Sequence, residues 1–194
     1  MSRAGWVLVG GKSTRMGQDK AWLDIAGIPM AAAVAATVFR AAGSVALVGA
    51  RSHYEALGFP TVSDLHPGEG PLGGVITALR ASSSRWNLIL ACDMPAAPVE
   101  FLKTLLDAAE KTECDCVVPL PPGGRLEPLC AAWNREALPA LETLFRRGVR
   151  KMADALAEIR VVEFPGGEPQ WFRNINTPEE WKAYCKHMAP RTGI

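Results

Sequence analysis

The sequence predicts an α/β domain, a mostly parallel sheet with helices on both faces. Three observations lead there. Short continuous apolar runs, of which Trp86–Ala91 ("WNLILA") is the cleanest, alternate along the chain with segments whose apolar residues recur at helical spacing. Strands that are apolar throughout are buried on both faces, as in parallel sheets covered by helices. The glycine- and charge-rich stretches follow strands, and ligands of such sheets lie outside the carboxyl ends of the strands. The 194 residues, 48% apolar and 21% charged, suffice for one domain over 1–194, with no internal repeat or low-complexity linker.

In chain order, Trp6–Val9 is a short apolar run stopping at Gly10, a buried first strand. The alanine-rich Met30–Ala42 reads as a helix closed by Gly43 as its C-cap. Val45–Val48 is a second strand, and Thr61–Ser63 a third that ends at Asp64. Pro71 precedes a helix over Leu72–Ala81, with Gly73 and Gly74 at its start, and the strand Trp86–Ala91 ends at Cys92-Asp93. Val99, Leu102, Leu105, Leu106 and Ala109 share one helical face. Cys116–Val118 and Leu129–Trp133 are strands separated by a turn around Pro121-Pro122-Gly123-Gly124. Helices follow at Ala137–Phe145 and Lys151–Glu158, then a strand at Arg160–Phe164 and a terminal helix at Pro178–His187. That last helix has a complete start signal: Thr177 as N-cap, Pro178 at the first position, and Glu180 three residues after the cap.

Composition excludes several classes. Lys and Arg number 21 against 20 Asp and Glu, so a net charge of +1 provides no broad basic field for nucleic acid. No apolar run is long enough for a membrane span. The first residues enter an apolar strand without the core and cleavage site of a signal peptide, so a cytoplasmic protein is expected. The five cysteines (Cys92, Cys114, Cys116, Cys130, Cys185) are scattered with no CxxC pair, and the three histidines lie far apart. Reduced core cysteines are expected rather than a zinc site.

Any anion binding is therefore local, and "VLVGGKSTRMGQDK" (Val7 to Lys20) is where it concentrates. Walker A spacing requires a glycine where Trp6 stands, and the dinucleotide fingerprint fails because Gly10 and Gly11 are adjacent. The two glycines still allow close approach of backbone N–H groups to a ligand, Arg15 can fork onto phosphate oxygens, and Lys20 adds a compact cation. The alternative is a solvated basic turn. In "ILACDMP", Asp93 ends a buried strand, where a carboxylate needs hydrogen bonds or a metal. Opposite a phosphate loop it suggests a magnesium ligand. Capping the next helix is the alternative, made awkward by the intervening Ala96-Ala97-Pro98. Asp64, ahead of "LHPGEGPLGG", could accept hydrogen bonds from a sugar or base, or serve as a turn residue. In "RNINTPEEW", Asn174 and Asn176 share one side of an extended segment and could present amides to a polar substrate.

Taken together, "LVGGKSTRMGQDKAWL", "GPLGGV", "LACDMP" and "NINTPEEW" resemble the molybdenum cofactor guanylyltransferases, the MobA-like nucleotidyltransferase family, in order over nearly the whole chain. The most specific element is Gly-Gly-x-Ser-x-Arg-Met-Gly-x-Asp-Lys. The resemblance implies a Rossmann-like nucleotidyltransferase domain that transfers GMP from GTP to molybdopterin, with Mg2+ as cofactor and pyrophosphate released. It implies a catalytic set of Arg15, Lys20 and Asp93, with Asp93 as the metal ligand. Nucleotide-binding positions would be Leu8, Val9, Gly10, Gly11, Lys20, Asp64 and Asp93, and Gly73, Asn174 and Asn176 would face the pterin. The implied partners are GTP and molybdopterin, with transient contact to molybdoenzymes or other proteins of cofactor synthesis. The chain departs from the family pattern at Val9, where alanine is more usual, and at "LVGARS", which lacks an asparagine seen in some members. Competing readings are a sibling transferase using CTP or a sugar phosphate, and a binding protein that delivers molybdopterin without turnover.

Overall fold

The computed structural model describes residues 2–10 and 18–188. In chain order the elements are β1 (Arg3–Leu8), a hairpin of β2 (Asp24–Ile25) and β3 (Ile28–Pro29), α1 (Met30–Ala42), β4 (Ala46–Gly49), α2 (Arg51–Tyr54), β5 (Thr61–Ser63), α3 (Pro71–Ala81), β6 (Trp86–Ala91), α4 (Val99–Ala109), β7 (Cys116–Leu120), β8 (Cys130–Asn134), α5 (Leu138–Arg146), α6 (Met152–Leu156), β9 (Val161–Pro165) and α7 (Pro178–Met188). The alternation of strand and helix expected from the apolar pattern is present. The hairpin and the four-residue α2 are additions, each too short to show a period in sequence.

The main sheet has seven strands in the order β5-β4-β1-β6-β8-β7-β9. β5, β4, β1 and β6 run parallel, β8 runs against both β6 and β7, and β7 is parallel to β9. The sheet is mostly parallel, as expected, with one reversed strand. β8 follows β7 without an intervening helix, and a short connection permits only an antiparallel neighbour.

Alternate residues of each strand feed two cores. Leu88 and Leu90 of β6 join Val34, Ala35 and Val38 of α1 and Leu102 and Leu105 of α4 on one face. Ile89 joins Leu72, Val75, Ile76 and Leu79 of α3 and Leu141 of α5 on the other. Helix α1 sits close on the sheet because β1 carries Gly5, where any Cβ would collide with Val38 and the Ser44 carbonyl. The helix stops at Gly43, whose left-handed conformation (φ +82°) lets its N–H reach Phe39 O at 2.8 Å, the C-cap the sequence predicts. A buried polar tie joins the centre: Asn87 accepts from the Trp6 indole N–H at 3.0 Å.

Chain direction positions the site. From β1 the chain winds outward through β4 to β5, and α3 then carries it back over the sheet to β6 on the other side of β1. The order of strands therefore reverses between β1 and β6, and their carboxyl ends, in register at Leu8 and Ala91, frame an opening.

Candidate active site

At that switch point lies a cleft of about 620 Å³. Its floor and walls include Leu8, Val9 and Gly10 after β1, Gly49 and Ala50 after β4, Asp64 after β5, and Cys92 and Asp93 after β6. Four strand ends thus converge on one space, as the placement of charged and glycine-rich segments after strands predicts.

The chemistry-bearing residues meet on one side. Lys20 begins a short 3-10 turn, Lys20–Trp22, and its Nζ lies 3.1 Å from Asp93 Oδ2 and 2.5 Å from Asn176 Oδ1. Both partners of the ion pair are largely enclosed, with side chains 16% and 20% exposed. Asp93 does not cap α4, whose N-cap is Pro98. Its own carbonyl accepts the Ile175 N–H at 2.9 Å, which ties the segment around Asn174–Asn176 to the end of β6. Ile175 packs into a small core of Leu23, Ile25 and Met30, to which Trp181 and Tyr184 of α7 also contribute. That anchoring leaves the flanking asparagines on the other side of the strand-like segment. Asn174 lines the cleft, and its buried Oδ1 has no hydrogen-bond partner among the described residues. Such an acceptor costs about 1–3 kcal/mol unless a donor arrives. The predicted helix start holds α7 in place: Glu180 N–H donates to Thr177 Oγ1 at 3.2 Å, and Glu180 Oε2 accepts from the N–H groups of Asn176 and Thr177 at 2.7 and 3.1 Å.

The facing wall is quieter. Asp64 lines the cleft while its Oδ1 closes a turn, accepting from His66 N–H at 2.9 Å and from Thr77 Oγ1 at 3.1 Å. The turn role the sequence offered for Asp64 is thus present, on a residue that also borders the cleft. Pro67, Gly68, Gly70 and Pro71 continue this wall to the start of α3. At Gly73 the Cβ of any side chain would stand 2.7 Å from His66 Cβ, so the helix start packs closely on that loop. Its neighbour Gly74 lines the cleft against Leu8, which a Cβ would approach to 3.2 Å. Both glycines thus allow close packing, Gly73 against His66 and Gly74 against Leu8 at the cleft wall.

The backbone at the end of β1 is partly engaged already. Leu8 O accepts from Cys92 N–H at 3.1 Å and Val9 N–H donates to Val48 O at 2.9 Å. Val9's side chain is buried in the core, 6% exposed, so its extra bulk relative to alanine points into packing. Gly10, at φ +107°, turns the chain out of the sheet in a conformation that side-chain-bearing residues rarely adopt. Gly11 and Arg15, both singled out in the sequence, lie outside the described residues.

Electrostatics at the floor are set by burial. The Cys92 thiol is pushed up to about 12, first by burial and then by the adjacent Asp93 carboxylate, so it is a neutral lining group. Burial, followed by a hydrogen bond to Asp19, raises the Tyr54 phenol and keeps it a proton donor. Sequence reasoning assigned no role to Asp19 or Tyr54. Tyr54 sits in a helix too short to announce itself, and Asp19 reads as a mere counter-charge until Tyr54 is placed beside it. Among the described residues, no three His, Cys, Asp or Glu side chains cluster as a metal site. No helix among them is long and apolar enough to cross a membrane.

Comparison with known proteins agrees with this fold. Residues 5–161 match the family described as the MobA-like NTP transferase domain. A probable molybdenum cofactor guanylyltransferase of Carboxydothermus hydrogenoformans is 31% identical over 187 residues, covering 93% of each chain. A molybdenum cofactor guanylyltransferase of Cupriavidus metallidurans is 30% identical over 184 residues, covering 91% of each. The crystal structure of the molybdopterin-guanine dinucleotide biosynthesis protein A of Archaeoglobus fulgidus superposes with a TM-score of 0.82 at 28% identity, covering 95% of this chain and 97% of that one.

Proposed function

The chain belongs to the MobA-like NTP transferase family, and on that premise we propose that it transfers GMP from GTP to Mo-bound molybdopterin, forming the guanine dinucleotide cofactor and releasing pyrophosphate. It is a nucleotidyltransferase, and the observation that carries the reading of its site is the meeting of Lys20, Asp93 and Asn176 at the switch point of the sheet.

Phosphoryl transfer asks mainly for positioning and charge neutralisation, with little covalent help from the protein. The cleft has the parts for this. The segment after β1, at Leu8, Val9 and Gly10, holds the nucleoside and lets backbone N–H groups approach the phosphates. Asp64 offers its carboxylate to the nucleoside while Thr77 and the His66 amide fix its orientation. Lys20 neutralises the triphosphate, and the sequence resemblance gives Arg15 the same task. Asp93 suits Mg2+, because that ion is commonly held by one or two carboxylates together with substrate phosphates, and a lone enclosed carboxylate matches this donor set better than a resident metal cage. Bound there, the ion would neutralise charge on the phosphate oxygens. Lys20 then exchanges its carboxylate partner for phosphate, while Asn176 keeps hold of the ammonium. The acceptor's terminal phosphate oxygen attacks the α-phosphorus of GTP, and the bond to the departing pyrophosphate breaks. The unpartnered Asn174 Oδ1 is suited to accept from one of the N–H donors of a pterin ring.

The test is incubation with each of the four NTPs and molybdopterin, following pyrophosphate release, with calorimetry of GTP, ATP and CTP alongside. GTP is expected to bind on the order of 100-fold better than ATP, because a site with polar groups matched to one base rejects a base that leaves them unpaired. Comparable affinities for all three would remove the guanine assignment. Turnover with CTP, or with a sugar phosphate as acceptor, would install the sibling activity instead.

A further inference from the structure

We propose that Tyr54 is a positioning residue that holds together the two flanks of the nucleotide segment, Gly10 on one side and Asp19-Lys20 on the other. Tyr54 is 4% exposed, at the end of the short α2. Its ring is wedged against the end of β4, where a Cβ on Gly49 would stand 2.9 Å from Tyr54 Cδ2. Its hydroxyl lies beside one flank and is bonded to the other. A Cβ on Gly10 would stand 3.5 Å from Tyr54 Oη, and that same hydroxyl donates to Asp19 Oδ2 at 2.7 Å.

Asp19 passes the constraint on. Its other oxygen, Oδ1, accepts from Ala21 N–H at 3.0 Å and so caps the 3-10 turn whose first residue is Lys20. One carboxylate therefore bridges a rigid, buried phenol to the turn that aims the Lys20 ammonium at Asp93 and Asn176. His53 Nε2 lies 3.0 Å from Asp19 Oδ2 and 3.2 Å from the Trp22 indole nitrogen and can bond only one of them at a time, and the His53 side chain is 54% exposed, so solvent competes as well. Tyr54 supplies the enclosed, charge-assisted bond. Hydrogen bonds to a charged group contribute more than neutral ones, and a phenol confined in this way has little freedom to give up when it makes one. A residue on a different element, standing beside Gly10, thereby fixes the turn that carries Lys20. This rests on the reading of Lys20 as the phosphate cation.

The experiment compares Tyr54→Phe, Asp19→Ala, Asp19→Asn and the Tyr54→Phe/Asp19→Ala double variant by GTP calorimetry, melting temperature, and amide hydrogen exchange of residues 18–22 in the unliganded protein. Tyr54→Phe keeps the ring and its packing. It is expected to weaken GTP binding about tenfold, to move the melting temperature by only a few degrees, and to speed exchange at 18–22 but not at 66–74. Asp19→Ala should do the same, the double variant should be no worse than either single change, and Asp19→Asn, which keeps an acceptor oxygen, should recover part of the loss. Unchanged exchange at 18–22 in Tyr54→Phe, or additive losses in the double variant, would overturn the proposal. If the unaltered protein prefers another NTP, the guanylyl reading fails and the cycle is run with that nucleotide. If it binds none, the exchange result alone decides for or against Tyr54.

Discussion

On one side of the cleft Lys20, Asp93 and Asn176 face one another within hydrogen-bonding distance, each brought there by a different part of the chain. On the other side, residues 67–71 present proline rings and glycine backbone, with Asp64 as the carboxylate of that wall. The anchors differ in the same way. The first wall is tied down from within, through the Asp19–Tyr54 bond and the Ile175–Asp93 bond beside Lys20. The second is strapped from outside: Arg150 donates to Glu69 Oε2 from Nε and Nη2 at 3.1 and 2.7 Å and lies over the Phe145 ring, and that ring packs against His66. One wall carries charge and the other carries shape. Substitutions on the first should therefore appear in rate and affinity, and those on the second, Asp64 apart, in stability.

The largest expected effect is at Asp93. Asp93→Ala removes a carboxylate from a polar site rather than from a packed core, so turnover should fall about 100-fold or more while the melting temperature hardly moves. Near-normal turnover in magnesium would show that the charged wall does not hold the metal. Lys20→Ala comes next. GTP affinity should fall by about tenfold to 100-fold, with the loss shared by all NTPs because the phosphates are common to them. A loss confined to GTP would move Lys20 from the phosphates to the base.

On the shape wall the signature reverses. Gly73→Ala places a methyl against His66, which is itself packed on Phe145, so about 1–3 kcal/mol of stability should be lost, read as a lower melting temperature with little change in the KM for GTP. A raised KM at unchanged melting temperature would mean that Gly73 serves the substrate directly. The smallest effect is at Glu69→Gln. The Glu69 and Arg150 side chains are 47% and 38% exposed, so the charge contributes under about 1 kcal/mol, less in high salt. A salt-dependent loss of GTP affinity on this change would make the outer strap part of the binding machinery and erase the division between the walls.

The residue pattern alone determined the strand–helix succession, several boundaries to the residue, and the loops in which site residues lie. Met30–Ala42 and Trp86–Ala91 were legible because an alanine-rich helix ending at glycine and a six-residue apolar strand each contain their own signal. The α7 start was legible for the same reason, since Thr177 and Glu180 interact across a single turn. Lys20, Asp93 and Asn176 could each be picked out by residue type and by their place after a strand or before a helix. That Lys20 and Asn176 touch, 156 positions apart, is not encoded in either neighbourhood. It follows from the crossing of α3 back to β6, and from Trp181 and Tyr184 docking α7 onto the β2–β3 hairpin. The reversal of β8, the close packing at Gly73 and Gly74, and the bond from Tyr54 to Asp19 belong to the same class. Local propensity and periodicity act over a few residues, whereas these features depend on which surfaces meet once apolar faces are buried, and only the assembled tertiary structure decides that.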